Sequence, residues 1–289
     1  FLSAVDTGAL FDPKIIYDPY NNRWVYIIDS RARSPLSALF VAVSHSADPM
    51  GGWSIYTIDP DPENDQWADF PSVGFNKNWI VINVNMLKNP GFTTSNVSRT
   101  FVLNKQQLYS LGTVDMSVFD APNTLYQYWT ICPAMVYDPN YNDVWCVTND
   151  DNDDNDLRFF KVTGGPSNPA MSEEGFISIG TAWPQNAGNL GPQSGSAARI
   201  DLGFDWVQSA VWRNGLLYFS QSFALPSGST PNTATIQIAS CNPVTNTVVE
   251  AFRYNTDQNT MYSYANLTVN ESGDWIISSA KFTSTSFPS

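Results

Sequence analysis

A short strand, a tight turn rich in Asn, Asp and Gly, and a second strand opening on Trp or a large apolar residue recur five times along this chain of 289 residues. The copies read Asp12-Pro-Lys-Ile-Ile-Tyr-Asp-Pro-Tyr-Asn-Asn-Arg-Trp24, Phe70-Pro-Ser-Val-Gly-Phe-Asn-Lys-Asn-Trp79, Cys132-Pro-Ala-Met-Val-Tyr-Asp-Pro-Asn-Tyr-Asn-Asp-Val-Trp145, Gln208-Ser-Ala-Val-Trp-Arg-Asn-Gly-Leu-Leu217 and Ala265-Asn-Leu-Thr-Val-Asn-Glu-Ser-Gly-Asp-Trp275. Their second-strand anchors fall roughly 55–72 residues apart, the spacing of a four-stranded blade with its loops. The turn residues tolerate positive φ or form Asx turns, as tight hairpins demand. The predicted hairpins lie near residues 12–30, 69–86, 131–149, 206–222 and 262–280.

Further strand candidates lie between them: Leu39–Ser44 with Trp53–Ile58, Thr100–Leu103 with Met116–Phe119, Leu157–Val162 with Phe176–Ile179, and Thr235–Ala239 with Val248–Tyr254. Only Asn104–Gly112 reads as a helical turn. A regular array of short strands with Trp anchors fits a propeller, whereas a two-sheet sandwich has no repeat at this period. The expectation is an all-β chain, one β-propeller domain over residues 1–289, with about five four-stranded blades. The last blade is incomplete, or Phe1–Leu10 completes it, or the chain is a fragment of a six-bladed ring.

A formal net charge of −13 disfavours nucleic acid and anionic membrane surfaces as partners. No apolar run approaches the ~18–20 residues of a spanning helix, so no membrane insertion is expected. Few charged residues and many Ser, Thr and Asn suit a polar β-surface in an extracellular setting. Three cysteines do not make a disulfide scaffold. Cys132 and Cys146, on two arms of one predicted hairpin, form either a cross-strand bridge or two buried thiols, and Cys241 is left over.

The runs Phe11–Trp24, Val41-Ala-Val-Ser-His-Ser-Ala-Asp-Pro-Met-Gly-Gly-Trp53 and Trp67-Ala-Asp-Phe-Pro-Ser-Val-Gly-Phe-Asn-Lys-Asn-Trp79, with Trp212-Arg-Asn-Gly215 and Ala280-Lys-Phe-Thr283, resemble a family of secreted microbial propellers. That family is loosely sialidase-like and without demonstrated activity. The resemblance implies a secreted propeller with one more blade hairpin beyond this point. Ser46-Ala-Asp48-Pro-Met-Gly51-Gly-Trp53 is close to the Asp-box of sialidase-type propellers, with the Gly displaced by one and the Thr missing. Even an intact Asp-box builds the turn between a blade's third and fourth strands rather than a site.

Catalytic options are few. His45 is the only histidine, which excludes a multi-His zinc site. No arginine recurs at equivalent inner-strand places, which argues against sialidase activity. Asp12, Asp69 and Asp205 each lie at or near the start of a predicted inner strand, where their carboxylates could converge on a central channel for paired-carboxylate glycosidase chemistry. The competing reading is that they accept backbone N–H bonds at blade tops or bind one structural ion. Trp67, Trp129 and Trp183 are candidate rings for stacking on sugar faces, against the usual fate of propeller aromatics as packing between blades.

In Asn149-Asp-Asp-Asn-Asp-Asp-Asn-Asp156, the alternating Asp151, Asp153 and Asn155 resemble the first ligands of a calcium loop, or else form a solvated, self-repelling turn. Asp59-Pro-Asp61-Pro-Glu63-Asn-Asp65 is a second, weaker acidic loop. The sequence thus favours an extracellular, non-catalytic binding or structural propeller with a glycan or a cell-surface or matrix partner. The alternative is a glycoside hydrolase or lyase using channel-facing carboxylates.

Overall fold

The structure is a computed structural model that describes residues 8–121, 128–150, 153–179, 188, 190–225, 230–254, 257 and 259–289. Its strands are β1 (Leu10–Asp18), β2 (Arg23–Ser30), β3 (Ala38–Ser44), β4 (Trp53–Ile58), β5 (Gln66–Phe75), β6 (Trp79–Lys88), β7 (Val97–Asn104) and β8 (Met116–Asp120), with helix α1 (Lys105–Tyr109) between the last two. There follow β9 (Cys132–Pro133), β10 (Met135–Val136), β11 (Val144–Asp150), β12 (Asp153–Gly165), β13 (Asn168–Ser178), β14 (Gly191–Gln193) and β15 (Ser196–Ile200). The chain continues through β16 (Val207–Arg213), β17 (Leu216–Leu225), β18 (Thr233–Asn242), β19 (Thr247–Arg253), β20 (Thr260–Val269) and β21 (Trp275–Thr283).

These strands build a β-propeller. Four antiparallel blades are β1–β4, β5–β8, β9 with β11–β13, and β16–β19; the hairpin β20–β21 is the inner half of a fifth. Each repeated hairpin supplies the two inner strands of one blade. The inner strands run parallel around the axis: β10 bridges β5 through Met135 and Phe75, and β16 through Met135 and Val211. Because they run parallel, all five hairpin turns gather at one end of the axis and the strand starts gather at the other.

The repeated Asp and Asn residues hold those turns. Asp18 Oδ1 accepts the Tyr20 N–H at 3.0 Å, Asn76 Oδ1 the Asn78 and Trp79 N–H groups at 2.8 Å, and Asp138 Oδ1 the Asn140 N–H at 2.9 Å. Asn270 does the same for Asp274, at 2.8 Å. In blade 4 the turn uses left-handed Asn214 and Gly215 instead. The anchoring tryptophans turn inward: Trp79 and Trp145 are fully buried between blades, and Trp145 stacks on Trp212 across the blade 3–4 seam.

The Asp-box-like turn joins β3 to β4. Asp48 Oδ1 accepts the Met50 N–H at 2.9 Å, and the Trp24 and Trp53 indoles donate to the Ala47 and Pro49 carbonyls. His45 Nε2 sits 2.9 Å from Ser54 Oγ at the same place.

Beneath the turns lies one buried ion pair. Lys105, at the start of α1, places its ammonium 3.1 Å from Asp18 Oδ2, 5.0 Å from the ring centres of both Tyr20 and Phe75, and donates to the Asn76 carbonyl. Tyr109 donates its hydroxyl to the same carboxylate at 3.0 Å. Burial pulls the Lys105 ammonium down to about 8, opposed by Asp18.

The three cysteines are free and buried. Register explains why the bridge considered for Cys132 and Cys146 does not form: Cys132 stands opposite Val147 and Cys146 opposite Pro133, so the two thiols leave opposite faces.

Candidate functional site

The inner strands enclose a cavity of about 290 Å³ bordered by all five blades, its wall including Lys14 and Ile15 of β1, Ser72 of β5, Cys132 of β9, Gln208 of β16 and Asn266 of β20. At the end away from the hairpin turns, three inner strands carry the same irregularity. Pairing breaks between Phe11 and Lys14, between Asp69 and Ser72, and between Ser263 and Asn266. The first residue of each break is left-handed: Asp12 at φ 51°, Phe70 at φ 53° and Tyr264 at φ 57°. A non-glycine residue there costs of order 1–3 kcal/mol, and such strain gathers where a bulge re-aims a side chain toward a functional surface.

These bulges bring Asp12 and Asp69 within mutual electrostatic reach, close in sequence to the cavity wall at Pro13 and Ser72 though not part of it. Asp69 is half-buried, and its carboxyl is pushed up to about 6, first by desolvation and then by the Asp12 charge, against the Phe70 N–H that favours its ionised form. A third carboxyl, absent from the sequence expectations, joins them. Asp29 of β2 lies opposite Phe11 and is 0% exposed, with no hydrogen-bond partner for either oxygen among the described residues. Burial, reinforced by Asp69 and Asp12, raises it well above the usual carboxylate range.

Comparison with the next blade explains what is unusual about Asp29. The equivalent residue of blade 2 is Asn85, which stands opposite Asp69 as Asp29 stands opposite Phe11. Asn85 clasps blade 3: its Nδ2 donates to Thr130 Oγ1 at 2.9 Å and its Oδ1 accepts the Thr130 N–H at 2.7 Å. At the blade 1–2 seam a carboxyl replaces that amide, and no such clasp forms.

Aromatic rings surround the carboxyls. Phe70 meets Trp206 edge-on at 5.1 Å, and Trp206 stacks on Phe204 at 4.4 Å. Phe204 is 41% exposed and Tyr264 40%. Tyr264 donates its hydroxyl to the Asp201 carbonyl at 2.9 Å, and its ring passes over Gly203. A Cβ on Gly203 would stand 3.2 Å from that ring, and at φ +74° any side chain there is strained. Burial, then Asp201 and Asp12, raises the Tyr264 phenol.

The other expected site residues fall elsewhere. Asp205 is 3% exposed and stands just before β16, where its backbone carbonyl accepts from Gln221 Nε2 at 3.3 Å. Trp67 is a correction: at 8% exposure, packed edge-on against Phe11, it offers no open face for stacking. Its position in β5 directs the ring into the blade packing. Trp129 is half-buried, with its carbonyl accepting from Thr148 Oγ1. Trp183 and Asp151 lie outside the described residues, as do the side chains of Asp153 and Asn155. Among the described residues no group of three His, Cys, Asp or Glu is placed to hold a metal ion. In the second acidic loop Asp61 is buried, accepts the Asp65 and Gln66 N–H groups at 3.0 and 2.8 Å, and faces Arg99 at 3.6 Å. It locks a turn.

No protein-family model matches the chain, and no curated protein matches it in sequence. Among solved structures it is similar to the GH43 endo-arabinanase from Bacillus licheniformis, at 14% identity and a TM-score of 0.44 over 96% of each chain. It is also similar to the alpha-L-arabinanase of Cellvibrio cellulosa, at 10% identity and a TM-score of 0.48 over 97% of this chain and 90% of that one. A third is the Trypanosoma rangeli sialidase in complex with sialic acid, at 9% identity and 0.38 over 97% and 53%. At these values the likeness is one of chain path, and no residue role is carried across.

Proposed function

We propose that the channel mouth is the active site of a glycoside hydrolase, with Asp69 as the general acid and Asp12 as the carboxylate that activates water or attacks. One observation carries the reading. Two carboxyls from adjacent blades meet at strained bulges, and the surroundings hold one of them up to about 6. Glycosidases divide labour between two carboxyls by giving them different environments, one kept protonated to donate to the leaving oxygen. Asp29, fully buried, is itself raised by burial and then by the charges of Asp69 and Asp12. The exposed rings of Phe204 and Tyr264 supply apolar faces of the kind sugars stack on. This departs from the non-catalytic binding module favoured by the sequence, because the sequence does not reveal that Asp12 and Asp69 share a mouth. The extracellular setting remains part of the proposal, on composition alone.

The test is reducing-sugar release from a panel of plant and microbial polysaccharides by the wild-type chain, Asp69→Asn and Asp12→Asn. Hydrolysis is expected to fall by about 10²-fold or more in each variant, the usual contribution of a positioned acid or base. The wild-type rate should decline above about pH 6, as Asp69 loses its proton. Binding on a glycan array without turnover on any glycan bound would establish the non-catalytic module instead.

A further inference from the structure

Lys14 is the feature of the cavity that the proposed chemistry leaves unused. It lies on β1 two residues beyond Asp12, half-buried in the cavity wall, with its ammonium 5.4 Å from the centre of the Phe70 ring. Among the described residues no carboxylate pairs with it: the ion pairs involve Arg99, Lys105, Arg158 and Lys161. A half-buried ammonium held against a ring face, with no carboxylate at ion-pair distance among the described residues, is placed to receive an anion locally even though the chain as a whole carries net charge −13.

The cavity around it offers neutral hydrogen-bonding groups from three other blades, Ser72, Gln208 and Asn266. Its volume of about 290 Å³ lies at the small end of the ~300–1,000 Å³ range of ligand pockets. Two of the three carboxyls above Lys14 are pushed toward their neutral form, which reduces the repulsion an incoming anion meets.

We infer that Lys14 makes this cavity a binding site for a carboxylate-bearing sugar, a uronate, whose carboxylate rests on the ammonium while its ring is hydrogen-bonded by Ser72, Gln208 and Asn266. The inference deepens the proposed function and rests on it for placing the scissile bond above the cavity, between Asp12 and Asp69. The substrate class is then a glycan ending in an acidic sugar.

Calorimetric titration of the full chain at pH 5.5 and low salt, with sodium galacturonate and glucuronate against galactose and glucose, tests it. The uronates are expected to bind at least tenfold more tightly than the neutral sugars. Lys14→Met should remove that preference and Lys14→Arg should restore most of it. Uronate affinity should also fall as sodium chloride is raised, because the contact is ionic.

Equal affinity for charged and neutral sugars, no uronate binding, or uronate binding unchanged in a folded Lys14→Met would each overturn the inference. If Lys14→Met does not fold, the wild-type preference and its salt dependence decide the question. Uronate binding without hydrolysis of any glycan would remove the proposed function and leave the inference standing. Hydrolysis confined to neutral glycans would do the reverse.

Discussion

Replacing Asp69 by Asn should stabilise the protein at neutral pH and leave its stability at pH 3.5 nearly unchanged. The folded state holds the Asp69 proton up to about 6, against an ordinary value of 3.8. Between those values the folded chain binds a proton that the unfolded chain has released. Stability therefore falls as pH rises from about 4 to about 6 and is flat above, the reverse of a salt-bridged aspartate. Two pKa units at 1.36 kcal/mol each give about 3 kcal/mol as the upper bound of the penalty at pH 7.

Asparagine cannot ionise, and its Oδ1 can still accept the Phe70 N–H that Asp69 accepts. The substitution also removes one of the two charges that raise Asp29. Equilibrium urea denaturation of both proteins at half-unit steps from pH 3.5 to 8 measures the difference directly. Curves that coincide at low pH and diverge to about 1–3 kcal/mol by pH 7 are expected. A pH-independent gap would trace the effect to packing, and a variant less stable than wild type at pH 7 would refute the assigned environment altogether.

Lys105→Met should cost about 3–5 kcal/mol, because it strands the fully buried Asp18 carboxylate without its counter-charge; an unchanged denaturation midpoint would contradict the pairing. For the acidic segment with Asp151, Asp153 and Asn155, we propose a bound calcium ion. Chelator should then lower the melting temperature, added calcium should restore it, and the double variant Asp151→Asn, Asp153→Asn should respond to neither.

What was legible in the sequence follows from what each residue repeats. The strands expected at Leu39–Ser44 and Trp53–Ile58 and the helical turn expected at Asn104–Gly112 are met by Ala38–Ser44, Trp53–Ile58 and Lys105–Tyr109, because each is settled by local rules. Asp12 and Asp69 were legible as candidates because both sit at strand starts. Asp29 was not: it lies near the end of β2, two positions beyond Ile27 in a run of buried residues, and only the pairing register sets it opposite Phe11 beside the bulge. Trp67 misled for the complementary reason, since the facing of a strand residue depends on the local register and packing and not on its type.

The two ends of the propeller can be told apart by how the blades agree. At the turn end the same device recurs with small changes: Asp18, Asn76, Asp138 and Asn270 each cap their turn, and exchange between Asp and Asn hardly matters, since the oxygen is what accepts. At the channel mouth the equivalent exchange changes everything. Asn85 joins two blades through one donor and one acceptor, whereas Asp29 in the same position makes neither bond and lies buried beside two more carboxyls. A fold selected for stability alone would carry asparagine at both places, because a buried unsatisfied carboxyl costs more than the clasp it displaces. Divergence between blades, concentrated where it is least stable, is therefore the strongest physical reason to place the chemistry of this chain at the mouth rather than at the turns.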